Sequence, residues 1–174
     1  MIYFTSDLHL GHGNIIKHCA RPFRDVDEMD AALIANWRAR VKDGDTVYIL
    51  GDLFFRAAYG HEGVLKRLPG IKHLIVGNHD KNWMKRVRLP EFFASVQPAL
   101  KINHGHNRLF LCHCPVLEFN ADYMVHGHVH NNRSDPDWPL FRASDKALNA
   151  GVEINNYMPV TFEELKANNE KFRL

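Results

Sequence analysis

Short apolar runs recur along the first half of the chain, and each ends abruptly at a small or charged residue. The runs that predict buried strands are Ile2–Thr5, Thr46–Leu50 and His73–Val76. Between them, apolar residues at helical spacing predict a helix over 27–41, capped by Asp25 or Asp27, and a second helix over 62–68. Strands that alternate with helices predict an α/β layered fold with a parallel sheet.

The pattern changes after Pro90, where short strand-like runs follow one another through close turns. These runs lie at 93–96, 99–102, 108–112 and 123–125, with a hairpin connection at 103–106. Residues 147–154 predict one or two further strands, and Thr161 is expected to cap a C-terminal helix. We therefore expect two sheets within a single domain that spans residues 1–174.

Composition narrows the class of protein. With 174 residues, 45% hydrophobic and 24% charged, the chain is typical of a soluble globular domain and unlike a disordered, collagen-like or coiled-coil chain. No apolar run approaches the roughly 20 residues of a membrane span, and Asp7 comes too early for a signal peptide. Three cysteines cannot all pair, so we expect reduced thiols and a cytoplasmic location.

Polar residues that can bind metal follow five of the strand-like runs. They form the motifs Asp7-Leu8-His9, Gly51-Asp52, Gly77-Asn78-His79-Asp80, His113 and Gly127-His128-Val129-His130. In layered α/β sheets, the loops beyond the carboxyl ends of the strands converge on one crevice. We therefore expect these side chains to meet.

Each motif alone has a simpler interpretation. Asp7 could cap a helix, the two Gly-polar pairs are common turns, and His113 could be an ordinary strand residue. His128 and His130 are harder to explain in this way, because strand alternation would place both imidazoles on one side. Taken together, the motifs favour a metal site.

The ligand types indicate the metals. Carboxylate, imidazole and amide groups suit borderline divalent ions, of which Mn²⁺ is favoured and Fe²⁺, Ni²⁺ and Zn²⁺ are alternatives. The candidate ligands are Asp7, His9, Asp52, Asn78, His113, His128 and His130. Seven ligands exceed what one tetrahedral ion takes, so two ions with one bridging carboxylate are expected. Cys112 and Cys114 are interpreted as small buried apolar residues that face away from His113.

In this order, the five motifs closely resemble those of the calcineurin-like metallophosphoesterase superfamily. The resemblance implies an α/β (α+β) fold, a four-layer αββα sandwich with two mixed β-sheets flanked by helices. It also implies roles for the residues that match the motifs. Asp7, His9 and His130 would bind one metal, Asn78, His113 and His128 the other, and Asp52 would bridge the two. His79 would approach the substrate and its leaving group without binding metal.

One position departs from the family pattern. The second motif of the family reads Gly-Asp-x-x-Asp-Arg, whereas this chain has Phe55 in place of the second acid. That acid is not a metal ligand in the family, so the ligand assignment stands. The support that it would give to Arg56 is in doubt.

The implied chemistry is hydrolysis of a phosphate ester. Two ions roughly 3.5–4 Å apart can share a water, convert it to hydroxide near neutral pH and bind the phosphoryl oxygens. His79 would assist the leaving group. Asp80 could orient His79 and make it a better proton donor, or it could cap a helix over 80–86.

Candidate contacts to substrate are Asn78, His12, Asn14 and Arg56. Asn14 could instead cap a short helix that extends to Cys19, and Arg56 could be solvated. The residues that follow His130, at 131–133, could line the crevice.

We expect a metal-dependent phosphoric ester hydrolase, with phosphodiesters favoured because nothing obvious covers the crevice of so small a protein. The substrate would be a phosphate-ester small molecule or nucleotide. The alternatives are a phosphomonoesterase, a nuclease, or a non-catalytic scaffold of the same fold that binds other proteins. A net charge of +2 and the small basic cluster at 81–88 support a nucleic-acid partner weakly, and no membrane partner is indicated.

Overall fold

The computed structural model describes residues 1–55 and 60–174. Within these ranges the strands are β1 (Ile2–Thr5), β2 (Thr46–Ile49), β3 (Ile71–Ile75), β4 (Ser95–Gln97), β5 (Ala99–His104), β6 (Asn107–Cys112), β7 (Tyr123–His126) and β8 (Ala147–Asn149). The helices are α1 (Gly13–His18), α2 (Val26–Arg40), α3 (His61–Leu65), α4 (Lys81–Met84), α5 (Trp138–Ala143) and α6 (Phe162–Arg173). Short 3-10 turns lie at Leu89–Glu91 and Val152–Ile154.

The strands form two four-stranded sheets in the described part of the chain. The first has the order β1-β2-β3-β4, and all of its strands are parallel. The segment between each pair of neighbouring strands contains helical residues and brings the chain back to the end of the sheet where the strands begin. The second has the order β5-β6-β7-β8, in which β5 and β6 form an antiparallel hairpin and the other pairs are parallel. The predicted architecture of two sheets flanked by helices is confirmed, although only the second sheet is mixed.

Two apolar clusters form most of the core and follow the alternation of the strands. On the outer face of the first sheet, Trp37 and Leu33 of α2 pack against Val47 and Leu74. The second cluster lies between the sheets, where Phe4 and Ile75 of the first sheet meet residues of the second: Leu109, Leu111, Val125 and Leu148. Helix α6 packs against β1 and β8, and its buried Phe162 and Leu165 belong to this second cluster. The second cluster and helix α6 therefore contact both sheets and hold them together.

Local signals account for the ends of the long helices. The side chain of Asp25 accepts a hydrogen bond from the Glu28 amide at the start of α2, which selects Asp25 over Asp27 as the cap. Thr161 and Glu164 form a reciprocal capping box at the start of α6. Residues 147–154 form one strand and a 3-10 turn rather than two strands. This turn is relevant to the site, because it carries Glu153.

No helix among residues 1–55 and 60–174 combines the length and apolar character needed to cross a membrane.

Candidate metal centre

The loops that follow β1, β2, β3, β6 and β7 bring the seven predicted ligands to one place. In the first group, Asp7 Oδ1 lies 3.8 Å from His9 Nε2 and 3.9 Å from His130 Nε2. The ligand atoms of these three residues all lie within 4.8 Å of one another, which is the spacing of groups around a single ion. The three residues that the family resemblance assigns to one metal are therefore neighbours.

A second group lies beside the first. Asn78 Oδ1 is 2.8 Å from His113 Nε2 and 3.0 Å from His128 Nδ1. One amide oxygen and two imidazole nitrogens thus meet at one point. These are again the residues that the resemblance assigns to one ion.

Asp52 lies between the two groups. Its Oδ2 is 3.5 Å from His9 Nε2 in the first group and 3.4 Å from His113 Nε2 in the second. Its other oxygen, Oδ1, accepts a hydrogen bond of 2.9 Å from the backbone N–H of His79, which fixes the carboxylate plane. The position of Asp52 is that expected of a bridging ligand.

The backbone of this site is strained. Five of the predicted ligands have left-handed φ angles: Asp7 (57°), His9 (51°), Asp52 (53°), His128 (73°) and His130 (49°). Such conformations cost about 1–3 kcal/mol each in residues other than glycine and cluster at functional sites. They also correct the expectation that strand alternation places His128 and His130 on one side. Strand β7 ends at His126, so His128 and His130 reach the site through left-handed loop residues rather than through strand alternation.

Glycines precede three of the ligands, because no side chain fits at those positions. A Cβ atom at Gly51, whose φ is +88°, would collide with the ring of His113 and the backbone of Gly77. A Cβ atom at Gly77 would collide with the carboxylate and amide of Asp52, and one at Gly127 would collide with Ser6 and the carboxylate of Asp7. These glycines therefore allow neighbouring loops to approach closely enough for their ligands to meet.

Two buried polar atoms make the site suitable for a cation. Within the described residues, neither Asp7 Oδ1 nor His9 Nε2 has a hydrogen-bond partner, although both are buried. Most buried polar atoms in folded proteins are paired, because an unpaired one loses its hydration without compensation. A divalent ion held by these atoms would supply the missing partner, so the donor set fits a metal.

The pKa values of the predicted ligands reflect their burial and the charges around them. Burial lowers the pKa of His9 to about 2, which keeps this imidazole neutral, as a metal ligand must be. Burial also opposes the charge of His113, but its hydrogen bond to Asp52 and the carboxylate of Asp7 outweigh this and raise its pKa to about 9. Burial, helped by the negative charge of Glu153, raises the pKa of Asp7. The carboxylates thus favour a positive charge at His113, and a divalent ion held by these residues would supply that charge in place of the proton.

The structure identifies acceptors that orient two of the imidazoles, which sequence reasoning missed. His113 Nδ1 lies 2.7 Å from the Leu50 carbonyl oxygen, and His130 Nδ1 lies 2.9 Å from Glu153 Oε1. The side chain of Glu153 is buried and is paired with the buried Arg21 at 2.7 Å. Glu153 stands 23 positions from His130 in no recognisable motif, so no sequence signal could have revealed the contact.

Changing Glu153 to Gln is expected to weaken metal binding by about 10- to 100-fold, the usual cost of losing a carboxylate that orients a ligating histidine. Isothermal titration calorimetry, in which Mn²⁺ is added to the metal-free protein, measures this affinity. Arg40→Gln, which breaks the ion pair of 2.6 Å with Glu164 far from the ligands, is the matched control. Unchanged Mn²⁺ affinity in Glu153→Gln would contradict the orienting role.

His79 and Asp80 occupy different environments. The His79 side chain is 41% exposed, with Nε2 4.0 Å from Asp52 Oδ2, at the open side of the site. The Asp80 carboxylate is buried and accepts hydrogen bonds from the amides of Asp52 (2.9 Å), Leu53 (3.1 Å) and Gly77 (2.7 Å) and from the indole of Trp83 (2.7 Å).

Neither role considered for Asp80 matches these contacts. Its hydrogen bonds within the described chain do not include the His79 imidazole. Although Asp80 stands at the N-cap position of α4, its side chain does not cap that helix. The carboxylate instead ties the loop after β2 to the loop after β3, because both loops aim amides at it. We therefore assign Asp80 a positioning role.

The remaining predicted contacts are spread around the opening. His12 Nδ1 lies 3.3 Å from His9 Nδ1, next to the first ligand group. Asn14 is exposed in α1, whose N-cap position is occupied by His12, so the alternative that Asn14 caps this helix is wrong. Asn78 belongs to the second ligand group, and Arg56 lies outside the described residues.

A cleft of about 460 Å³ opens beside the ligands. It is lined by His128 and His130 together with residues 131–133, as the sequence suggested. The interpretation of Cys114 is wrong: β6 ends at Cys112, so alternation does not extend to Cys114, which is exposed. Its sulfur lies within 4.8 Å of ligand atoms of His113 and His128.

Comparison with known proteins finds relatives in Methanocaldococcus jannaschii and in a mycobacterial phage. No family model matches the chain. The uncharacterized protein MJ1445 of Methanocaldococcus jannaschii is 37% identical over 168 residues, which cover 93% of this chain and 87% of that protein. The gene 66 protein of Mycobacterium phage L5 is 31% identical over 169 residues, covering 74% of this chain and 77% of the phage protein.

A search of solved structures also finds a relative of this chain. A protein of unknown function from Aquifex aeolicus, AQ665, superposes with a TM-score of 0.75 at 30% identity, covering 96% of this chain and 98% of that chain. Lower similarity is found to the Escherichia coli phosphoesterase YfcE (TM-score 0.38, 25% identity, 74% of this chain and 69% of that chain) and to Vps29 of Entamoeba histolytica (TM-score 0.40, 18% identity, 74% of this chain and 64% of that chain). The chain therefore belongs to one family with MJ1445 of Methanocaldococcus jannaschii and AQ665 of Aquifex aeolicus.

Proposed function

We propose that this protein is a dinuclear-metal phosphoesterase of the calcineurin-like type that hydrolyses phosphodiesters. The observation that carries the proposal is the place of Asp52 Oδ2, about equally far from His9 Nε2 (3.5 Å) and His113 Nε2 (3.4 Å). One oxygen shared by two separate ligand groups is the arrangement that a pair of ions requires. We propose Mn²⁺ as the metal of both positions, because mixed oxygen and imidazole ligands suit it.

Two divalent ions supply Lewis-acid chemistry, which lowers the pKa of a bound water and neutralises phosphoryl oxygens. The ligands of this chain fix where that chemistry occurs. Asp7 and Asp52 would offset the charge of the ions, and the buried His9, whose low pKa keeps its imidazole neutral, would provide a nitrogen lone pair. Leu50 and Glu153 hold the rings of His113 and His130 in their orientations.

His79 is placed to act on the substrate rather than on a metal. Its backbone N–H is held by Asp52 Oδ1, and its half-exposed imidazole faces the open side of the site. A phosphate held beside Asp52 would present its ester oxygen to this ring. A proton donated there would stabilise the charge that develops on the leaving oxygen.

Replacing His79 with Ala is expected to slow turnover by about 10²- to 10⁴-fold, the usual contribution of a general acid, while metal content is unchanged. Steady-state kinetics and elemental analysis of the same preparation measure both. The control is His106→Ala, at the hairpin turn between β5 and β6. If His79→Ala loses its metal instead, His79 is a ligand and this assignment is wrong.

The diester preference is supported by the open cleft beside His128 and His130, which leaves room for a second substituent on phosphorus. A panel of aryl monoesters, aryl diesters, 2′,3′-cyclic nucleotides and single-stranded DNA, assayed with Mn²⁺, tests it. Faster turnover of diesters is expected. Preferential monoester hydrolysis would make the protein a phosphomonoesterase, and turnover of DNA that falls steeply with salt would make it a nuclease.

Hydrolysis of none of these substrates, together with fewer than one ion per chain, would contradict the proposed function and favour a scaffold that binds other proteins. That result would have to be obtained with protein purified without chelator and supplied with Mn²⁺. Metal-free protein is expected to be inactive and to regain activity on addition of Mn²⁺.

A further inference from the structure

We propose that the stacked rings of His12 and Phe55 form a contact surface for a planar ring on the leaving side of the substrate, so that the preferred substrates are nucleotide or aryl phosphate esters. This inference rests on the proposed function and specifies its substrate class. The departure of Phe55 from the family motif would then be a determinant of specificity.

The two rings lie face to face. Their centroids lie 3.4 Å apart and their planes differ by 4°. Both residues are hydrogen-bonded through their backbones to the loop that carries His9. The His12 amide donates to the His9 carbonyl at 3.0 Å, and the Phe55 amide donates to the Leu10 carbonyl at 3.1 Å. The surface is therefore held in place before a ligand arrives, which reduces the entropy lost on binding.

This ring pair stands beside the atoms that would react. The Phe55 centroid lies 5.2 Å from that of His79 and 6.2 Å from that of His9. The His12 centroid lies 5.3 Å from that of His9. A substituent on an ester oxygen that His79 protonates must therefore lie close to the ring pair.

The chemistry of the pair selects a planar, uncharged group. Phe55 can neither donate nor accept a conventional hydrogen bond, and its ring is partly exposed to solvent. An acid at this position, as in the family motif, has no ring face on which a planar group can stack, whereas the phenyl ring of Phe55 has one. Aromatic side chains bind nucleobases by stacking, which strengthens binding by about tenfold or more for each base.

The test compares the binding of three ligands to the Mn²⁺-loaded protein by calorimetry: inorganic phosphate, ribose 5-phosphate and AMP. Phosphate release is followed in parallel, so that hydrolysis of either ester is detected. We expect AMP to bind at least about tenfold more tightly than ribose 5-phosphate. In Phe55→Leu, which keeps an apolar side chain, this ratio is expected to fall to about twofold or less, and in Phe55→Tyr it is expected to be preserved.

Phe92→Leu is the matched control, because Phe92 lines a groove near the start of β3 and β4, at the end of the sheet opposite the ligands. It is expected to keep the wild-type ratio. Equal binding of AMP and ribose 5-phosphate to the wild-type protein, or an unchanged ratio in Phe55→Leu, would overturn the inference. Failure of inorganic phosphate to bind in a Mn²⁺-dependent way would instead contradict the proposed function, so the two failures are distinguishable.

Discussion

Replacing Asp52 with Asn is expected to reduce hydrolysis by about a thousandfold or more and to lower bound metal well below two ions per chain. Asp52 Oδ2 is the oxygen shared by the two ligand groups. Asn has the same shape but lacks the negative charge that offsets two divalent ions. A bound ion contributes several kcal/mol to transition-state stabilisation, and about 4 kcal/mol corresponds to a thousandfold in rate.

The substitution leaves the fold nearly undisturbed, because an amide oxygen can still accept the hydrogen bond from the His79 amide. Elemental analysis and steady-state kinetics on Asp52→Asn give the two readouts. Asp122→Asn is the matched control, since the Asp122 side chain is 42% exposed and pairs with Arg108 at 3.5 Å. Two ions per chain with undiminished turnover in Asp52→Asn would show that Asp52 does not bridge.

Asp80→Ala is expected to lower the free energy of unfolding by about 3–5 kcal/mol. The change leaves four donors without their acceptor: the amides of Asp52, Leu53 and Gly77 and the Trp83 indole. A buried donor that loses its partner costs about 1–3 kcal/mol, and part of this is recovered where water enters. The loops that carry Asp52 and Asn78 would also lose their link, so weaker metal binding should accompany the loss of stability.

Denaturant unfolding of the metal-free protein measures this effect separately from metal binding. Trp83→Phe removes one of the four hydrogen bonds and leaves a small cavity at a fully buried position, so a loss of about 2 kcal/mol is expected. If Asp80→Ala were as stable as the wild-type protein and yet turned over a hundredfold more slowly, Asp80 would act through His79, as first considered from the sequence.

The strands that deliver the ligands could be predicted because two local signals coincide there. The run Ile2–Thr5 is apolar, and it ends where Ser6 and Asp7 leave the sheet, so both the strand and its end are visible in the sequence. Parallel strands share one carboxyl edge, and this topology brings Asp7, Asp52 and Asn78 together. The first part of the site therefore follows from periodicity and topology.

Other features depend on tertiary contacts that leave no local pattern. The orienting role of Glu153 requires a 3-10 turn after β8 to lie against the loop that carries His130. Two of the four partners of Asp80, the amides of Asp52 and Leu53, lie 28 and 27 positions away in the chain. The left-handed backbone at His128 and His130 replaced the expected strand alternation, because surrounding contacts hold conformations that these residues do not favour on their own.

The most direct test of the account is a crystal structure of the protein grown with Mn²⁺ and measured for anomalous scattering. We expect two anomalous peaks roughly 3.5–4 Å apart, with Asp52 between them and His79 bound to neither. One peak would be bound by Asp7, His9 and His130, and the other by Asn78, His113 and His128. A single peak, or two peaks that do not share Asp52, would contradict the dinuclear centre.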